Sequence, residues 1–591
     1  MAKRLWFESA AVFAITLAFL FALAPAAPFT KELGVCESGA VRDVLAGNII
    51  LPRFLPGPMV HVPPLYWWTA ALCVRAFGWT ELALRLPSMV AAAATCAVIF
   101  AWLGASVSRR AGVWAAAALL LCHFFTDAAR QPRMDSMLAL FITAAAVCLE
   151  RAVSRGRTGG GANAGTHSML AGGTGVAAHD SPLLPHPRRM LYLAIAALMM
   201  ALGILAKSVI GLLPGLVIAV YMIVRRRFWE LFRVDLIVSF VAAIAVGVAW
   251  FIAAFWVGGD KFLAWQLGMN LWHRFLPTDA GGAGYCAHPF YYFVPQTLKG
   301  FIPWSLYLPA AAVWLWPRKG RRLSAPIVYT LCWFAAIFVF FSSSEGKCLV
   351  YILPAFVPLA ALAGCTIDHA IGSPPEGRAM IGWFNAGSAV IAVGALLLAL
   401  AALALIVGGL PASLPVHLHP TDREFLGIFG AMAARRAPTL MLWIAAFIVG
   451  PALTLYAVGR MRARLQVWGV LVVAAAGALF WFGVMNPALA EHETLRGFAR
   501  EVAQLVPPGA TVGHIGLGDC DLDFYSPRPL PEVFHFSCKN DPAAPRYIVL
   551  RQGRFDKMAA SQRACLKPIA VSAQVDSNGS RILVERVAPS P

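Results

Sequence analysis

Acids and bases are scarce in this chain, so the places where they gather stand out. Glu37 and Asp43 lie in the first polar stretch, FTKELGVCESGAVRDVLAGNIILPRFLPGPMVHVPPLYWW at 29–68, with Glu32, Arg42, Arg53 and His61. A carboxylate there can deprotonate or orient an acceptor hydroxyl, or steady positive charge at an anomeric carbon. The plainer alternative is a solvated loop acid. Asp127 and Asp135 flank the run ARQPRMD. Arg130 and Arg133 within it have the planar fork that grips a phosphate through two hydrogen bonds. Asp135 opens an apolar helix, so capping that helix is its competing role.

Lys207 sits in GILAKSVIGLL between two apolar runs, where an ammonium is costly without an anion beside it. A lipid phosphate would serve, and snorkelling to the interface is the alternative. Lys347 in SSSEGKCLVYILP holds a similar position, with Glu345 nearby and Tyr351 one turn on. The stretch NLWHRFLPTDAGGAGYCAHPFYYF at 270–293 combines His273, Arg274, Asp279 and His288 with aromatic rings. Such rings suit a sugar face, or form an interfacial belt. No metal site is assigned: His417 and His419 in HLHP lack a third ligand. A divalent cation stays open as a cofactor. GGTG at 172–175 is no phosphate loop, because no Lys-Ser/Thr follows it.

The elements that must position these groups are membrane helices. Of 591 residues, 59% are hydrophobic and 13% charged, and the mean hydropathy is +0.70. A water-soluble domain cannot bury that much apolar surface. The apolar runs are helix-length and do not alternate, which excludes a barrel. They fall near 8–28, 83–105, 112–128, 134–151, 189–206, 208–224, 234–256, 290–316, 325–342, 348–366, 380–408, 438–458 and 466–485, about thirteen transmembrane helices. The run Ala10–Ala27 reads as a membrane anchor rather than a cleaved signal peptide.

Lys and Arg number 48 against 29 Asp and Glu, a net charge of +19. The excess sits in short clusters between apolar runs: Lys3-Arg4, Arg109-Arg110, Arg151 to Arg157, Arg225 to Arg227, Arg318 to Arg322, Arg378 and Arg460 to Arg464. They fall on alternate ends, the positive-inside pattern, with Arg435-Arg436 as the exception. The excess therefore implies membrane lipids, not nucleic acid, as partner. The polar loops 29–82, 127–135, 257–290 and 343–347 then share the outer face. A short amphipathic helix is expected at 37–46, and Tyr66-Trp67-Trp68 at a bilayer interface.

The expected architecture is an all-α polytopic membrane domain, 1–485, followed by a small outward-facing α/β domain, 486–591. The membrane domain contains a first periplasmic loop at 29–82, a cytoplasmic linker at 152–188 and a periplasmic loop at 257–290. In the C-terminal part a helix near 490–505 leads to strands at 511–516, 546–551 and 581–586. Most cysteines stand singly in apolar runs and read as small hydrophobes. Cys520, Cys538 and Cys565 in the polar tail allow one disulfide and leave one thiol.

Six pieces in order carry a resemblance: ESGAVRDVLAGNIILP with PPLYWW, FGWTELALRLPS, ARQPRMDSMLALF, GILAKSVIGLL, NLWHRF with HPFYYFVPQTLKGFIPW, and SSSEGKCLVYILP. Together they resemble the GT-C superfamily of polyprenyl-phosphate-sugar glycosyltransferases, in the branch of protein O-mannosyltransferases and the lipid A aminoarabinose transferase. The resemblance implies a sugar donor linked to undecaprenyl phosphate and an acceptor in the periplasm, lipid A or another glycan or protein. It also implies an inner-membrane enzyme whose active face and C-terminal domain are periplasmic. Carried over by position, the catalytic acids are Glu37, with Glu32 as its rival in the first loop, and Asp135. Lys207, Arg274, Lys347 and Tyr351 would hold the donor phosphate or sugar, with Arg133 and His61 as further donor contacts. Before Pro63-Pro64 the aminoarabinose enzymes have Glu-Lys, where this chain has His61-Val62. A transporter or flippase of a lipid-linked sugar is the alternative of another class. It would place its charges at the midplane and show a repeated half.

Overall fold

The computed structural model describes residues 2–23, 27–30, 33–52, 63–154, 186–267, 288–317, 322–372, 378–408, 420–516, 520–528, 530–531, 533, 545–573 and 579–587. His61, Arg274, the 155–185 linker, His417, His419 and Cys538 lie outside them. So does Glu32. The chain separates into two compact units. One comprises Met1–Ala24, His61–Tyr66 and Arg85–Trp481; the other comprises Pro25–Val60, Trp67–Leu84 and Phe482–Pro591. Most of the first polar loop is therefore grouped with the C-terminal residues.

Among the described residues, ten helices are long and apolar enough to cross a membrane, or eleven if the bent pair Arg109–Leu120 and His123–Arg130 is one span. The sequence suggested about thirteen, and the difference has local causes. The 290–316 run is not one span. Pro289, Pro295, Pro303 and Pro309 divide it into short helices, including Phe293–Gly300 and Leu308–Leu315, because proline lacks the amide donor of a helix interior. The stretch Pro187–Val224 counts once by length, yet it folds back on itself. A Cβ on Gly203 would lie 2.9 Å from the Cα of Gly211, whereas eight residues of straight helix rise about 12 Å. Helix His186–Lys207 ends at this reversal, Ser208 takes φ 59°, and Leu213–Val224 returns with Pro214 in its first turn. Glycine at 203 and 211 permits the close approach.

Charge sorts the helix ends of the first unit. Arg109 pairs with Glu8, and Arg110 Nε lies 2.9 Å from Asp368 Oδ1. Arg151 donates to Ser106 Oγ at 2.8 Å, and Arg227 to the Val153 carbonyl at 3.1 Å. Ser108, which caps Arg109–Leu120 by accepting from the Ala111 amide, also donates to Asp368 at 2.5 Å. The clusters at 4, 109–110, 151 and 225–227 thus share one end. Helix Asp135–Val153 has 19 residues, about 28 Å at 1.5 Å per residue, close to a bilayer core of about 30 Å. Its basic C-terminus lies at that end and Asp135 at the other.

The second unit carries a four-stranded sheet, order β1-β2-β4-β3, with β1 Val512–Ile515, β2 Tyr547–Arg551, β3 Leu566–Val571 and β4 Arg581–Arg586. β1 runs parallel to β2, and the other pairs are antiparallel. Alternate residues face opposite ways. Tyr547, Val549 and Leu583 pack with Phe498, Ala499 and Val502 of helix Arg496–Leu505. Ile548, Leu550, Ile582 and Val584 form the core of the opposite face. Asp521, fully buried, accepts from the Leu495 amide at 3.0 Å and so satisfies the start of that helix. The strand at 566–571 was not expected from sequence. It is an edge strand carrying Pro568, which weakens its strand signal and which an edge tolerates.

Candidate active site

The helix start at Asp135 and the reversal after Lys207 bring two distant segments together. Asp135 is buried, and its Oδ1 takes the Lys207 ammonium. Its Oδ2 lies 3.2 Å from Arg133 Nε. Ser88 Oγ donates to the Arg133 carbonyl at 2.7 Å and holds the ARQPRMD turn in place. The Lys207 ammonium also stands 4.7 Å from the centre of the Tyr351 ring, within range of a cation–π attraction. The partner anticipated for Lys207 was a lipid phosphate; the structure supplies Asp135 first. Two cations against one carboxylate leave the trio one positive charge in excess.

Lys347 is four residues from Tyr351, so the Cα atoms of the two are at most about 14 Å apart. It is buried, and its ammonium donates to the carbonyls of His288, at 2.9 Å, and Ser344. Among the described residues no carboxylate forms an ion pair with it. The His288 ring stacks on Tyr292 at 4.0 Å. Buried cations that outnumber their counter-ions favour binding an anion, because an uncompensated charge in a low-dielectric setting is costly.

The other candidates of the ARQPRMD loop turn elsewhere. Asp127 accepts from Gln131 at 3.0 Å, and Arg130 donates to the Leu23 carbonyl at 3.0 Å. Among the described residues no group of three His, Cys, Asp or Glu could hold a metal ion.

Glu37 belongs to the second unit and opens the helix Glu37–Leu45. Its carboxylate is buried and accepts from the Trp67 indole. Tyr66 and Trp67 are themselves buried, at 1% and 0% exposure, so these two rings are not an interfacial belt. The Trp67 contact with Glu37 has no signal in the sequence, because a Tyr-Trp-Trp run after two prolines reads first as membrane-interfacial. Arg42, on the same helix, donates to the carbonyls of Asp523 and Ser526 at 3.0 and 2.9 Å. Those carbonyls end the short helix Cys520–Tyr525, where a cation complements the helix dipole. Asp43 accepts from Asn48 at 2.7 Å. Within the same unit Tyr525 donates to Glu81 at 2.9 Å. Burial, reinforced by the Glu81 charge, holds the Tyr525 phenol above its ordinary range and therefore protonated.

Cys36, adjoining Glu37, forms a disulfide with Cys520, Cα–Cα 4.8 Å. Cys565 and Cys348 are disulfide-bonded too. Cys348, at the head of an apolar run, is thus bonded and not a free small hydrophobe, and Cys520 pairs outside the tail, so it is not the leftover thiol. A link across 484 residues carries no spacing signal. Serine at Cys36 or Cys520 is expected to lower the stability of this unit by about 2–5 kcal/mol. Thermal melts should show the loss in either variant, and reductant should reproduce it in the wild type.

Residues 61–176 match the family described as dolichyl-phosphate-mannose-protein mannosyltransferase. The chain is 28% identical over 334 residues to an undecaprenyl phosphate-alpha-4-amino-4-deoxy-L-arabinose arabinosyl transferase of Pseudomonas fluorescens, covering 55% of this chain and 51% of that protein. An enzyme of the same description from Enterobacter is 26% identical over 437 residues, 73% of this chain and 68% of its own. The chain thus spans about half the length of the first of these relatives. The crystal structure of ArnT from Cupriavidus metallidurans bound to undecaprenyl phosphate has the same fold. It superposes with a TM-score of 0.70 over 98% of this chain and 99% of that one, at 20% identity.

Proposed function

We propose that this chain, which is related to the GT-C membrane glycosyltransferases, moves a sugar from a polyprenyl phosphate to an acceptor in the bacterial envelope. The single observation that carries the reading is the cluster of buried Asp135 and Lys207 with half-buried Arg133, Lys207 lying over Tyr351, at the helix ends opposite the basic face. Its excess cation suits the monoanionic phosphodiester that joins a sugar to a long lipid, and Lys347 adds a second charge four residues from Tyr351. The relatives' donor, undecaprenyl phosphate bearing 4-amino-4-deoxy-L-arabinose, is the donor proposed here, with lipid A as acceptor.

In the transfer, the bond from the anomeric carbon to the carrier phosphate oxygen breaks, and a bond to the acceptor oxygen forms. The electron pair leaves with the phosphate, whose growing charge Lys207, Arg133 and Lys347 offset. If the acceptor is a hydroxyl, its proton passes to a carboxylate; a lipid A phosphate oxygen has no proton to lose, and the carboxylate then only orients it. Glu37 takes this role in the proposal and Asp135 orients Lys207. Arg274 and His61 are proposed as further donor contacts from their sequence positions. The positive-inside pattern supports an outward active face, and so does the Cys36–Cys520 disulfide, since disulfides persist in oxidising compartments. The match of residues 61–176 to a protein mannosyltransferase family favours a protein acceptor as the second reading. Turnover after exhaustive chelation decides whether a divalent cation shares the phosphate with these side chains.

Mass spectrometry of envelope lipids from cells with and without the protein tests the proposal. Loss of the protein should remove one sugar substituent from lipid A while its undecaprenyl-phosphate form accumulates. Unchanged lipid A with unchanged proteins and glycans would overturn it. Purified protein that moves the lipid-linked sugar across a vesicle without transferring it would assign a transporter instead.

A further inference from the structure

A cavity lies at the other end of the membrane unit, away from Asp135 and Lys207. It encloses about 920 Å³ between the end of helix Phe356–Gly372, the start of Arg378–Gly408 and the turn into Ala463–Phe480. Ile371, Ile381, Leu465 and Trp468 make its walls mostly apolar, and Arg462 and Arg464 bring two guanidinium groups to it. Its position follows from contacts already described: Asp368, which pairs with Arg110, is two residues from the lining Ala370. Trp468 also meets Trp114 of the Arg109–Leu120 helix edge to face at 5.7 Å. The cavity therefore opens among the basic helix ends, at the depth of a bilayer interface.

Two features indicate what it takes. Arg462 and Arg464 are exposed, and among the described residues neither has a carboxylate partner. Asn385, which lines the cavity, gives its amide nitrogen to Met461 Sδ at 3.2 Å, while its Oδ1 is buried and accepts no hydrogen bond among the described residues. An occupant with an anionic phosphate and a hydroxyl donor satisfies both, and an apolar body suits the walls. Basic pockets between membrane helices on the positively charged side bind anionic headgroups in this way.

We propose that this cavity is a binding site for an anionic glycerophospholipid of the leaflet on the basic side, distinct from the donor site. The phosphate pairs with Arg462 and Arg464, a headgroup hydroxyl donates to Asn385, and the acyl chains lie along Ile371, Ile381 and Trp468. Zwitterionic lipids fit less well, because their own ammonium meets the two guanidinium groups.

Native mass spectrometry of the full chain, released from nanodiscs of phosphatidylglycerol and phosphatidylcholine, tests this. Wild type should retain phosphatidylglycerol in preference to phosphatidylcholine. The Arg462→Ala, Arg464→Ala double variant should bind phosphatidylglycerol about 30-fold more weakly, about 2 kcal/mol from about 1 kcal/mol per arginine near an anionic surface. In parallel, brominated phosphatidylglycerol should quench wild type more than Trp468→Phe, which reads the cavity even if the arginine variant folds poorly. Equal retention of the two lipids, unchanged retention in the double variant, or quenching independent of Trp468 would each overturn the proposal. Displacement of the lipid by millimolar inorganic phosphate would overturn it in favour of a free-phosphate site.

Discussion

Lys207→Ala should lower sugar transfer at least about 100-fold, the usual cost of losing one preorganised charge donor at a site of developing negative charge. Among the described residues Lys207 both pairs with Asp135 and lies over Tyr351. Its removal acts on two levels. Electrostatically, the departing phosphate loses a counter-charge, so turnover falls more than donor binding. Structurally, Asp135 keeps only Arg133 among the described residues, and breaking a buried pair costs about 3–5 kcal/mol of stability. Lys207→Arg separates the two. It restores the charge for Asp135 and the melting temperature, but its planar fork cannot reproduce a point charge at the end of a flexible stem. Turnover should therefore stay well below wild type while stability returns. Steady-state transfer from purified undecaprenyl-phosphate-sugar, beside thermal melts of both variants, makes the measurement. Wild-type turnover in Lys207→Ala would remove the mechanism.

That cluster was legible in part. The residue types were readable because an ionic side chain inside an apolar run is expensive, so Asp135, Lys207 and Lys347 stood out. Which of them touch was not. The contact between Asp135 and Lys207 depends on the chain reversing at Ser208, and the signal for that reversal is two glycines whose importance appears only when their backbones meet. The ARQPRMD loop shows the same limit. Arg130 and Arg133 are equivalent in sequence, yet one binds the Leu23 carbonyl and the other binds Asp135. Helices came through well wherever hydropathy was unbroken, as at 135–153 and 325–343. Hydropathy failed at 290–316, because proline interrupts hydrogen bonding without lowering the apolar content. In the second unit, three strands were visible from their β-branched alternation. The edge strand with Pro568 and the Cys36–Cys520 link were not, since neither leaves a local pattern.

Glu37→Gln separates the two kinds of acceptor. Glutamine keeps an oxygen that can accept from the Trp67 indole, so the buried contact of Glu37 survives and the helix Glu37–Leu45 should stay folded. What disappears is the negative charge. If the acceptor is a hydroxyl, as on a protein or a glycan, the transition state needs somewhere to put a proton. Loss of the carboxylate then costs about 10²–10⁴ in rate, the usual contribution of general base catalysis. If the acceptor is a lipid A phosphate, its oxygen is already anionic and no proton has to leave. Glu37 then only orients groups around it, and the same variant should lose about tenfold or less. Transfer rates for Glu37→Gln across a pH series read the difference, since a base-dependent wild type loses rate as the carboxylate protonates at low pH and the glutamine variant does not. Turnover equal to wild type at every pH, with either acceptor, would take Glu37 out of the reaction and leave it as the buried partner of Trp67.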